Sequence, residues 1–149
     1  MAYLIQAFVS SSKNPNLLKL SIPCFSLAQD FVLVPTNKVI REKFEISALP
    51  LLEGNNNNLT VLCNFGFSLS GGAKVAYSEA ELFGGGGMQA SMVFENGKII
   101  PDAIVSKNAI NLALQYLGVA KASSPDEFDA LGLGKYRNTE QWIDNSKNE

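Results

Sequence analysis

Apolar and polar positions alternate along several stretches of the chain and recur at helical spacing along others. Tyr3 to Val9 reads as a strand, with Tyr3, Ile5, Ala7 and Val9 on one side and Leu4, Gln6 and Phe8 on the other. Leu17 to Ile22 reads as a short strand stopped at Pro23, and Phe31 to Val34 as a buried strand closed by Pro35. Leu59 to Leu69 reads as a strand with a bulge at Gly66. Lys74 to Leu82 alternates clearly: Val75, Tyr77, Glu79 and Glu81 share one face, and Ala76, Ser78, Ala80 and Leu82 the other. Gln89 to Glu95 alternates too, and Asn96-Gly97 is a strong hairpin signal before a returning strand at Lys98 to Ile100.

The period changes to that of a helix in two places. Thr36 offers an N-cap for a helix over Asn37 to Ile46, with Val39, Ile40 and Phe44 on its apolar face. Ser106 offers another for a helix ending at Leu117, whose stripe is Ala109, Ile110, Ala113, Leu114 and Leu117. Gly118 follows it as the left-handed closing residue. Ser124, Pro125 and Glu127 form a capping-box pattern for a short helix cut off by Gly132 and Gly134. Thr139 to Ile143 reads as a last turn anchored by Trp142. Gly54 followed by four asparagines reads as a loop.

Gly84, Gly85, Gly86 and Gly87 stand between two strand-like segments. A phosphate loop needs a Lys and a Ser or Thr opening a helix after the glycines, and here Met88, Gln89 and Ala90 open a strand. The dinucleotide fingerprint fails as well, because its third glycine falls on Gln89. The run therefore reads as a structural turn, as do Asn96 and Gly97. Matching polar to polar faces predicts Phe83 across from Gln89 and Glu81 across from Ser91, with one bulged residue in the turn.

Composition narrows the function classes. At 149 residues and 46% hydrophobic, the chain suits one domain with one core: 1–143 as an α+β unit and 144–149 as a frayed tail. A net charge of −2 lacks the basic footprint of a nucleic-acid binder. No apolar run reaches the length that spans a bilayer, and the first residues lack the basic region of a signal peptide. Cys24 and Cys63 are too few for a disulfide framework, so both are expected to be reduced, mostly buried thiols in a cytoplasmic protein. The chain has no histidine, which removes Ser-His-Asp and Cys-His catalysis and histidine metal sites. Ser10-Ser11-Ser12-Lys13 matches a Ser-x-x-Lys pattern, but it lies in a polar loop and not at the start of a buried helix.

Two groups of residues remain as candidate partner- or ligand-binding positions. Glu79 and Glu81 lie two apart on one strand beside Tyr77, with Gln89 nearby in the expected register. Paired carboxylates bind cations or act as acid and base, and a plain solvated sheet face explains the same alternation. Lys135, Tyr136 and Arg137, with Trp142 nearby, set two cations around an aromatic in a loop.

The sequence thus predicts an α+β fold: a mostly antiparallel sheet of about four to six strands, with the helices at Asn37–Ile46 and Ser106–Leu117 on one face. The leading functional expectation is a small non-catalytic domain that binds another protein, as an adaptor, regulator or immunity-type inhibitor. The alternative is a small-molecule binder or carboxylate-based enzyme with a pocket near the glycine turn. No catalytic residue, metal site or cofactor is expected, nor a nucleic-acid or membrane partner. A homo-oligomer is compatible with the composition.

Overall fold

Strand β1 (Ala2–Ser11) lies inside the sheet and is paired on both sides. In the computed structural model, which describes residues 2–19, 22–54, 56–83, 86–99 and 103–146, it is followed by α1 (Asn16–Lys19), β2 (Phe25–Ser26), β3 (Phe31–Pro35), α2 (Lys38–Phe44), α3 (Pro50–Glu53) and α4 (Asn56–Ser70). The chain then forms β4 (Val75–Phe83), β5 (Gly86–Glu95), β6 (Lys98–Ile99), β7 (Ile104–Ser106), α5 (Ala109–Leu117), α6 (Glu127–Leu131) and α7 (Thr139–Ser146). The fold is α+β. Among the described residues, seven strands make one antiparallel sheet in the order β2-β3-β1-β4-β5-β6, with β7 also paired to β5. The connection from β3 to β4 passes over β1 and carries α2, α3 and α4.

Both faces of the sheet are covered. Phe8, Val34, Val75, Tyr77, Met92 and Phe94 form one core with Ile40 of α2 and Leu62, Phe65 and Leu69 of α4. Tyr3, Ile5, Ala7, Val9 and Ala80 form the other with Ile110 and Leu114 of α5 and Trp142 of α7. The two helices expected on one face therefore lie on opposite faces. Small side chains permit the close approach of α5: Ala76, Val93 and Ala113 meet in a third buried group.

The segment 59–69 is helical and not a strand. Leu62, Phe65 and Leu69 face the core at helical spacing, whereas the every-second-residue run Val61, Cys63, Phe65, Phe67 and Leu69 mimics a strand. Gly66 is a packing position there. A Cβ on it would run into the Phe94 ring. Caps also move by one or two residues. Asn37 caps α2, its side chain accepting from Ile40 N at 3.0 Å, and Asp126 caps α6, accepting from Asp129 N at 2.8 Å. The helical turn expected at Thr139 to Ile143 extends through Ser146.

The hairpin register differs from the expected one. Glu81 faces Met88, Glu79 faces Ala90 and Phe83 faces Gly86. The expectation assumed one polar and one apolar face, but a sheet buried on both sides imposes no such match. Only Gly84 and Gly85 separate the paired ends, and they lie outside the described residues. Gly86 and Gly87 belong to β5. Gly87 needs to be glycine, because φ is +124° and a Cβ would collide with the Glu81 carbonyl. At the other end of β5, Asn96 and Gly97 have φ of 51° and 73° and join Glu95 to Lys98 as a two-residue turn.

Candidate functional site

Gln6, Glu79, Gln89 and Ser91 of the sheet hold helix starts rather than facing water. Glu79 on β4 is fully buried. Its Oε1 accepts from Leu51 N at 2.7 Å and its Oε2 from Leu52 N at 3.0 Å, so the carboxylate sits on the first turn of α3. The Tyr77 hydroxyl donates to the same Oε1 at 2.7 Å. Beside them on β1, Gln6 donates from Nε2 to Ser47 O at 2.9 Å and accepts at Oε1 from Leu49 N at 3.0 Å. Four polar contacts from the sheet thus fix the segment 47–52, where Leu49 has a left-handed φ of 46°.

Burial pushes the Glu79 carboxyl above its ordinary range, and the three donors partly offset this. Burial and the adjacent Glu79 charge hold the Tyr77 hydroxyl well above its ordinary value, so Tyr77 is a donor. With both carboxylate oxygens occupied and no exposure, Glu79 is a structural latch and has no access to a substrate.

The opposite face repeats the device. Gln89 Oε1 accepts from Ile110 N at 3.1 Å, and Ser91 Oγ donates to Ala109 O at 2.7 Å, so two β5 side chains grip the first turn of α5.

A cleft of about 490 Å³ opens at the start of β1, between α2 and α7. Its floor is Leu4, Ile5 and Gln6, and Arg41 of α2, Leu49, Asn138, Glu140 and Asp144 stand around it. β3 pairs with β1 only from Ala7 onward, which leaves the first half of that edge without a strand partner. The segment before α7 fills it: Leu4 N donates to Arg137 O at 2.9 Å and Gln6 N to Thr139 Oγ1 at 2.9 Å. Arg41 Nη1 donates to Thr36 O at 2.8 Å, and among the described residues no ion pair joins Arg41 to a carboxylate. Glu140 Oε1 accepts from Lys38 N at 2.9 Å.

The expected groups are separated by this arrangement. Glu79 and Tyr77 meet, but Glu81 stands apart from them, half-buried at the end of the sheet between Leu4 and Met88. Gln89 is on the other face. Trp142 is buried, with Tyr136 edge-on to it at 4.8 Å between ring centroids and Phe25 at 6.5 Å. Lys135 Nζ lies 5.3 Å from the Tyr136 ring, and Arg137 is exposed with its backbone tied to β1 and to Gln141. Cys24 is exposed, contrary to the burial expected for both thiols; Phe25 after it carries the packing instead.

One surface feature was not anticipated. Leu4, Glu81 and Met88 are directly opposite one another on β1, β4 and β5, and Leu52 of α3 adjoins Glu81 and Met88. Leu4 is 42% and Met88 46% exposed, and Val105 of β7, across from Ala90 on the same face, is 50% exposed. The alternation of β1 puts Leu4 on a face with Gln6 and Phe8, but only the fold reveals that α3 stops short of it.

No protein-family model, curated protein or solved structure matches the chain. Among the described residues, no helix is long and apolar enough to cross a membrane, and no three His, Cys, Asp or Glu side chains are grouped to hold a metal ion.

Proposed function

We propose that this is a non-catalytic domain that binds another protein through the sheet end formed by Leu4, Glu81, Met88 and Leu52. The carrying observation is that strip: two large apolar side chains, half exposed on either side of Glu81 in one row across three strands. Exposed apolar side chains gathered at one sheet end around a charged residue favour an interaction site over apolar residues scattered singly. The occupied Glu79 carboxylate counts against carboxylate-based catalysis, since the one strongly buried acid of the sheet is fully engaged by Leu51, Leu52 and Tyr77. An adaptor, regulator or immunity-type inhibitor working in the cytoplasm fits this reading, and the two free thiols are in keeping with it.

The test is affinity capture from native lysate with three baits: wild type, a Leu4→Asp/Met88→Asp variant, and a control Tyr116→Asp on the exposed side of α5. Circular dichroism first establishes that all three are folded. A partner retained by wild type and control and lost by the strip variant supports the reading. Identical partner sets for all three overturn it.

A further inference from the structure

The cleft between α2 and α7 carries unlike charges on facing elements. Arg41 stands on α2 with one described hydrogen bond, to the Thr36 carbonyl, which leaves the other N–H groups of its fork for a ligand. Asp144 and Glu140 stand one turn apart on α7. Glu140 is engaged at one oxygen by Lys38 N, and Asp144 has no described hydrogen bond. No ion pair closes the gap between Arg41 and these carboxylates. Unlike charges that line one cavity without pairing can be met together by a ligand carrying both signs. A guanidinium fork matches a carboxylate in a bidentate way, and a carboxylate accepts from an ammonium group.

The remaining walls define the rest of the ligand. Leu4 and Ile5 on the floor and Leu49 at the side are apolar, next to the polar edge given by Asn138. The volume of about 490 Å³ falls within the range of small-molecule sites. Gln6 and Leu49 are fixed by their mutual hydrogen bond, so this wall is formed before a ligand arrives. We propose that the cleft binds a free α-amino acid with an apolar side chain: its carboxylate on Arg41, its ammonium on Asp144, and its side chain on Leu4 and Leu49.

This site shares Leu4 with the protein-binding strip but is otherwise built from different residues, and it is read by a different measurement. Isothermal titration of the wild-type protein with L-leucine, L-methionine and L-phenylalanine is expected to show saturable binding of at least one at millimolar or lower concentration. For L-leucine, 4-methylpentanoate lacks the ammonium and 3-methylbutylamine lacks the carboxylate. For whichever amino acid binds, the matching deaminated and decarboxylated analogues are expected to bind at least about tenfold more weakly. Asp144→Asn, an exposed position, is expected to weaken binding by about tenfold while leaving the unliganded melting temperature unchanged. Arg41→Lys keeps the charge and loses the fork, and is expected to weaken binding of the amino acid and leave the amine analogue unaffected. The proposal is overturned by no saturable binding of any of the three, by equal binding of either analogue, or by unchanged affinity in Asp144→Asn.

Discussion

The Tyr77 hydroxyl donates to Glu79 Oε1 at 2.7 Å, two residues along the same face of β4. Both side chains are fully buried, and the carboxylate they share with α3 reaches the amides of Leu51 and Leu52 from a strand 27 and 28 residues away in sequence. The acid is thereby a support for the α3 turn, which in turn sets the edge of the exposed strip.

That burial gives Glu79 a signature in the pH dependence of stability. Its folded pKa is raised above the ordinary 4.5. Such a group contributes stability that is fully present below the unfolded value and is lost as pH rises through the folded one. The stability of wild type relative to Glu79→Gln is therefore expected to be greatest below pH 4.5 and to fall as pH rises above it, by at most about 1.4 kcal/mol per pH unit. Urea unfolding of both proteins at several pH values checks it. A pH-independent difference contradicts the assignment.

Gln6 offers a second probe of the same anchor. Gln6→Leu keeps the approximate volume and strands Ser47 O and Leu49 N, each worth about 1–3 kcal/mol when left without a partner. A loss of roughly 2–4 kcal/mol in urea unfolding is expected. Faster amide exchange confined to residues 47–52 is expected at lower denaturant, because the network holds that segment.

Gly66 tests the packing of α4. Alanine is favoured over glycine inside a helix by about 1 kcal/mol, but here the new Cβ meets the Phe94 ring. Overpacking of this kind costs about 1–3 kcal/mol, so Gly66→Ala is expected to destabilise despite the gain in propensity. In a Gly66→Ala/Phe94→Leu double variant, the total loss is expected to be smaller than the sum of the single losses. Thermal melts of the four proteins measure the coupling.

The two thiols are expected to react at different rates. Cys24 is exposed, while Cys63 is half-buried on α4 and burial pushes its thiol pKa up. Iodoacetamide on the native protein is expected to modify Cys24 first, with Cys63 lagging until denaturant is added. Peptide mass mapping at early times reads the order.

Most of the sheet was legible in the sequence because period-2 alternation marks β1, β4 and β5 directly. The helix α5 was legible from its stripe and from Gly118, which closes it with a left-handed φ of 91°. The segment 59–69 was not, since its apolar residues satisfy both periods and four asparagines before it resemble a loop. Glu79 stands out in the sequence as one of two carboxylates two residues apart, and the alternation around it reads as a solvated face. Its partners, Leu51 and Leu52, are backbone amides with no side-chain signal. Likewise Arg41, Asp144 and Leu4 come from three separate elements, and nothing in their local sequence joins them. The register of the β4–β5 hairpin departs from the alternation because α3 covers Glu79 and leaves Glu81 at the rim, so that face is not uniformly polar.

The most direct measurement of the binding account is amide hydrogen exchange of the protein alone and bound to the partner that wild type captures. Protection on binding is expected at residues 3–5, 51–53 and 86–89, around Leu4, Leu52 and Met88, with α1 and the outer side of α5 unchanged. Protection confined to α1, β2 or the exposed side of α5, with the Leu4–Met88 row unaffected, would contradict it.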